Sequence, residues 1–179
     1  INEGEKFFSY KAVVWTMLPS VMQLTKELGA DVSFKLYGEL YGGGYDTEKQ
    51  SEKWSFEGMV QNEILYTYFY DFVVFDIFIN GRWLDYDEVV KLCKQCELDV
   101  VPELCRGSYA DVVNFNTEKL LTKIPEFDKL PPIEGNYMEG KVIRPVKEPQ
   151  MSIDSEWPRE SSTNVRQIYK VVNNHYFEK

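Results

Sequence analysis

The run YTYFYDFVVFDIF, from Tyr66 to Phe78, leaves this chain the fewest choices, because it is dense in aromatic and β-branched residues as a central strand is. Asn80-Gly81 follows it, and RWLDY, Arg82 to Tyr86, follows that. A strand, a two-residue Asn-Gly turn and a returning strand predict a hairpin. A second strand is read from Val32 to Tyr41 by alternation. Val32, Phe34, Leu36, Gly38 and Leu40 point to one side, and Ser33, Lys35, Tyr37, Glu39 and Tyr41 to the other. Glu39 therefore stands on a polar face beside Lys35 and Tyr37, and Gly38 leaves room for something bulky close to the backbone.

Helices fill the gaps between strands. From about Glu5 to Leu28, Phe8, Ala12, Trp15, Leu18, Met22 and Leu28 recur near the helical period; Pro19 should break or kink the run, and Gly29 should stop it. Asp85 with Glu88 predicts a capping box that opens the helix DYDEVVKLCKQCEL. VVPEL reads as a short strand, and Ser108 as the cap of a helix reaching about Thr122. The prolines 125, 131 and 132 mark a loop, MEGKVIRPV and VRQIYKVV are strands, and polar loops cover residues 46–53 and 148–163. Strands with helices between and outside them predict an α+β domain spanning residues 1–179 as one unit, a length that suits a single core.

A hydrophobic content of 44% supports a packed globule, and no apolar run approaches the ~20 residues of a membrane span. The formal charge of −9, from 20 basic and 29 acidic residues, excludes a broadly basic nucleic-acid surface and leaves room only for a local patch. The odd number of cysteines, Cys93, Cys96 and Cys105, suits a reducing intracellular compartment, with the cytoplasm expected ahead of nucleus or organelle. Cys93 and Cys96 share a helix face and are read as buried thiols rather than as a redox or zinc pair. The start, INEGEKFF, has no signal-peptide pattern and no initiator methionine, so the natural protein is expected to begin further upstream.

Four stretches each place a charge in a strand near glycine or an aromatic residue. They are YGELYGGG with Glu39, VVFDIF with Phe75 and Asp76, MEGKVIRP with Glu139, Lys141 and Arg144, and QIYKVV with Lys170. Singly, each is an ordinary solvated charge or a core phenylalanine. Together they are the parts of a nucleotide site. An aromatic face stacks a base for ~1–3 kcal/mol, one carboxylate accepts from ribose hydroxyls, another holds Mg²⁺, and lysine or arginine meets the phosphates.

In this order the stretches resemble nucleotidyltransferase motifs III, IIIa, IV and V of the ATP-dependent RNA ligases, most closely the RNA ligase 2 family of RNA-repair and editing ligases. The resemblance runs from about Phe7 to Lys179. PELCRGSYADVV is similar to a family segment in which an arginine, here Arg106, supports the later joining steps. It implies a ligase-type adenylation fold of mostly antiparallel sheets with flanking helices. The implied activity uses ATP and Mg²⁺ to join an RNA 3′-hydroxyl to a 5′-phosphate through a lysyl-AMP intermediate. The resemblance also implies the roles: Glu39 on the ribose, Phe75 on adenine, Asp76 as a secondary polar contact, Glu139 on nucleotide or metal, and Arg144 and Lys170 on phosphates. The Gly38 and Gly42 to Gly44 backbone would let the nucleotide lie close to the strand.

The sequence departs from the family pattern twice. Val172 stands where a second motif V lysine is usual. KELGAD offers Lys26 and Gly29 as a lysine-spacer-glycine motif, but it ends a helix directly before motif III, with no room for intervening strands. The nucleophile is therefore expected outside this chain, which alone would be an inactive part of the adenylyltransferase domain. The other readings are a DNA ligase or mRNA capping nucleotidyltransferase, a non-catalytic nucleotide-binding module, and an α+β interaction domain.

Overall fold

A computed structural model describes residues 10–45, 59–61, 63–149 and 166–176, and its framework is the hairpin set by the Asn-Gly turn. Strand β1 (Phe34–Gly42) pairs antiparallel with β2 (Tyr70–Ile79), which pairs antiparallel with β3 (Arg82–Trp83). Asn80 and Gly81 turn with φ of 47° and 86°, the left-handed pair that lets a two-residue loop match strand twist. The polar stretches expected over 46–53 and most of 148–163, and the tail from Phe177, lie outside the described residues.

One face of this sheet is covered by helices α1 (Tyr10–Leu28) and α2 (Tyr86–Gln95). Leu24, Val74, Ile77, Leu84, Val89, Cys93, Cys96 and Leu98 form the buried core, with Met17 and Leu28 packed against it. Each fully buried aliphatic side chain contributes about 1.5–3 kcal/mol. The inward face of α1 is thus Val13, Met17, Leu24 and Leu28, whereas Trp15 and Met22 are 72% and 64% exposed. Trp15, Leu18 and Met22, part of the apolar stripe read from the sequence, lie on the solvent side of α1 instead. Pro19 does not end α1. The carbonyl its missing N–H leaves free is that of Trp15, an exposed residue, so the helix loses one bond on its solvent side and runs on.

The pairing of β1 with β2 slips once. Tyr37 faces Asp76, but Gly38 faces Val74, so Phe75 is an extra residue in β2. The slip switches the parity of the core contacts: Phe72 and Val74 touch the core before it, Ile77 and Ile79 after it. Phe75 and Asp76 are consecutive residues that both leave the core face, which is how a bulge re-aims side chains. Gly38 serves this packing rather than a ligand, since a Cβ there would collide with the Val73 carbonyl and the Phe72 ring. Gly43, Gly44 and Tyr45 donate their N–H groups to the Thr67 carbonyl at 3.1–3.2 Å, so the glycine run folds back on its own chain.

A second, two-stranded sheet pairs β4 (Gly140–Ile143) antiparallel with β5 (Tyr169–Val172). Between the sheets, VVPEL makes a single parallel bridge, Val74 to Val100, instead of a strand. Helix α3 (Tyr109–Asn114) has the Ser108 cap expected of it but ends well before Thr122. The capping box of α2 is present, with Glu88 accepting from the Asp85 N–H at 2.9 Å. Cys93, Cys96 and Cys105 are free, and burial pushes the Cys93 thiol up to about 12, so the CKQC pair is core packing. No helix among the described residues is long and apolar enough to cross a membrane.

Asp71 and Asp99 crowd together with Asp128. Burial raises the Asp71 carboxyl, as do Asp99 and Asp128, against one opposing bond from the Phe72 N–H; burial and then Asp128 raise Asp99. An acid raised in the folded state is destabilising above its folded pKa, and that cost disappears as pH falls through it. Asp99→Asn is therefore expected to raise Tm by about 1–2 °C at pH 7, kept small by solvent screening. Thermal melts from pH 7 to 4 check this: the gap to wild type should close on acidification, and a gap that widens contradicts it.

Candidate functional site

A cleft of about 870 Å³ opens between the two sheets, within the size range of small-ligand sites. Glu39 and Tyr41 line it from β1, and Val73, Phe75 and Asp76 from β2. Glu139 and β4 with Arg144, and Lys170 on β5, form the facing wall, and Arg106 and Tyr109 stand at its edge. The bulge is what brings β2 into the site. It leaves the Phe75 ring 37% exposed to the cleft, although the surrounding strand is largely buried.

Every site residue expected from the sequence lines this one cleft, but in differing states. Glu39 accepts from Gln61 Nε2 at 3.1 Å, and the same amide donates to the Leu40 carbonyl at 3.0 Å, which steadies the carboxylate. Glu139 and Lys170 are paired at 2.6 Å, with Lys170 60% exposed. Gly140 permits this, because a Cβ there would strike the Val171 carbonyl of the neighbouring strand. Val172 pairs with Gly140 at the end of β5.

Asp76 is more committed than a secondary ligand contact would be. It is 3% exposed, it forms an ion pair with Arg144 at 2.7 Å, and it accepts from both Nη atoms of Arg166 at 2.6 and 2.9 Å. The two arginines also share Glu148, which Arg144 Nη2 meets at 2.8 Å and Arg166 Nε at 3.0 Å. Burial opposes the charge on Arg166, but the bonds to Asp76 and Glu148 outweigh it and hold its pKa above the ordinary value. The Arg166 guanidinium also lies 4.2 Å from the centroid of Trp83. Arg144 donates Nη1 to the Phe75 carbonyl at 2.8 Å, yet its Nε is buried without a hydrogen-bond partner among the described residues. Arg106 is spent on Asp87 and Glu103 at 2.8 and 2.7 Å.

The sequence reading missed Gln61, Tyr66, Lys123 and Arg166. Tyr66 lines the cleft, and burial, then Glu39, Tyr176 and Glu139, push its hydroxyl well above the usual phenol range. Arg166 stood only four residues from Lys170, but its partners are far apart in sequence, at positions 76 and 148.

With these residues in one cleft, the comparison with known families is decisive: the RNA ligase family matches residues 2–172. The chain belongs to the RNA ligase family. No curated protein matches the chain. The antiparallel α+β fold of this RNA ligase domain is the one the motif order implied. Among its described residues, no three His, Cys, Asp or Glu side chains gather to hold a metal ion. Glu139 offers a single carboxylate, a donor set that suits Mg²⁺ only if nucleotide phosphates and water complete the coordination.

Proposed function

We propose that this cleft binds ATP for an adenylyl-transferring RNA ligase, which joins an RNA 3′-hydroxyl to a 5′-phosphate. The observation that carries the reading is the bulge in β2. It turns an aromatic ring, Phe75, into the same cleft as the Glu39 carboxylate of the adjacent strand, opposite the Glu139–Lys170 pair. Phe75 stacks the base, and Glu39, with one oxygen held by Gln61, accepts from the ribose with the other. Lys170 leaves Glu139 for phosphate oxygens, and Arg144 Nε, buried with no hydrogen-bond partner among the described residues, is a further donor suited to them. Glu139, once released, is the carboxylate for Mg²⁺, which when bound offsets phosphate charge. RNA ends are the substrate class, RNA repair is the setting, and the three free thiols favour a reducing compartment.

Joining begins with a lysine amine. Of the cleft lysines, Lys141 is tied to backbone carbonyls and Lys170 to Glu139, while Lys123 is an exposed ammonium, a better point charge than nucleophile. Binding is therefore the property to measure. In titration calorimetry with Mg²⁺, ATP should bind more tightly than GTP. Phe75→Ala should weaken ATP about 10- to 100-fold, the value of one stacked base. Glu39→Ala should lose the preference for ATP over its 2′,3′-dideoxy analogue. Absence of ATP binding, or tighter GTP binding, would overturn the reading.

A further inference from the structure

Among the described residues, five cations line the cleft: Arg106, Lys123, Lys141, Arg144 and Lys170. Four are engaged by the protein itself. Arg106 is held by Asp87 and Glu103, Arg144 by Asp76 and Glu148, Lys170 by Glu139, and Lys141 by three carbonyls. Lys123 is exposed and has no carboxylate or other hydrogen-bond partner among the described residues for its ammonium.

Its backbone, in contrast, is firmly mounted. On one side Leu121 bridges antiparallel to Tyr137, the Thr122 N–H donates to the Asn136 carbonyl at 3.0 Å, and the Met138 N–H donates to the Leu120 carbonyl at 2.9 Å. On the other side lies the 3₁₀ turn Ile124–Asp128, closed by Lys129 at φ 56°. Tyr45, just past the end of β1, donates its hydroxyl to the Pro131 carbonyl at 2.6 Å and ties that loop to the first sheet. Lys123 is thus a free charge on a fixed base, beside the segment that delivers Glu139. A solvated surface lysine needs neither the mount nor the cleft.

We infer that Lys123 is a phosphate-binding residue of this cleft, and the inference rests on the nucleotide and RNA reading above. Its charge is available to a phosphate without breaking any internal pair, unlike that of Lys170 or Arg144. The phosphate belongs either to the nucleotide or to the 5′ end of the RNA.

The test is binding of four probes to the full chain: ATP, adenosine, and one short single-stranded RNA carrying either a 5′-phosphate or a 5′-hydroxyl. Lys123→Gln keeps the length and removes the charge; Lys123→Arg keeps the charge. The expected result is a loss of about tenfold for one phosphate-bearing probe of a pair and not for its phosphate-free counterpart, restored by Lys123→Arg. A loss confined to 5′-phosphate RNA, with the salt slope shallower by about 0.7, assigns the RNA end. A loss confined to ATP assigns the nucleotide. Equal affinity of Lys123→Gln and wild type for all four probes overturns the inference while Phe75→Ala still tests the site. An equal loss for probes with and without phosphate also overturns it, as a merely structural effect. Wild-type protein that binds none of the probes overturns both readings together.

Discussion

Asp76→Ala is expected to cost about 3–5 kcal/mol of stability, which is a large part of the 5–15 kcal/mol that holds a typical domain folded. The carboxylate is buried between two guanidinium groups: both its oxygens accept from Arg166, and one also pairs with Arg144 at 2.7 Å. Removing it leaves Arg144 and Arg166 sharing Glu148 as their only carboxylate among the described residues, with one positive charge uncompensated where both side chains are 13% exposed. The damage spreads because the network joins distant parts of the chain. Glu148 donates its N–H to Asp85 at 2.8 Å at the start of α2, and Arg166 leads into β5. A fall in Tm of about 10 °C should follow. Arg166→Met added to Asp76→Ala should cost little more, since it removes the uncompensated charge; a double-mutant cycle in urea reads that coupling. If Asp76 were chiefly a ligand contact, Asp76→Ala would weaken ATP binding and leave the melting curve in place.

What could be read from the sequence depended on how local the cause was. The Asn80-Gly81 hairpin, the Ser108 and Glu88 caps and the outward position of Glu39 are set within a few residues, and each is where the pattern placed it. The gathering of Glu39, Phe75, Glu139 and Lys170 into one cleft was implied by motif order alone. Strand periodicity gave no hint of the bulge that makes it possible. A bulge is decided by the pairing of β2 with β1, and in the sequence VVFDIF simply looks like a continuous strand. The inward face of α1 failed for a similar reason. Trp15 and Met22 are the more conspicuous hydrophobes, but Leu24, at 0% exposure, fixes which side meets Val74 and Ile77. The resemblance implies that the Gly38 backbone, next to Glu39, lets a nucleotide lie close to the strand. Its empty side instead lies toward Phe72, on the opposite face. The ionic lock around Asp76 joins positions 76, 144, 148 and 166, and no spacing rule connects residues so far apart.

Lys141 is the other residue whose role no local pattern shows, and Lys141→Met is expected to cost about 3 kcal/mol. A strand lysine is ordinarily a solvated charge, but this one is 9% exposed and donates to the carbonyls of Val112, Val113 and Phe115 at 2.8, 2.7 and 2.6 Å. Those carbonyls belong to the C-terminal end of α3, where the last turn has no helical donors and the dipole is negative. A helix of 6 residues has little stability of its own. It persists because Ser108 caps its start and the ammonium closes its end. Methionine keeps the length and the burial and supplies no donor. The amides of residues 109–115 should then lose hydrogen-exchange protection while those of β1 and β2 keep theirs. Lys141→Arg should recover only part of the loss, because a planar fork cannot aim at three converging oxygens as an ammonium does. Unchanged protection of α3 in Lys141→Met would show that its end is held by something else. Loss spread evenly over both sheets would mean that Lys141 supports the whole fold rather than the helix that carries Tyr109 to the mouth of the cleft.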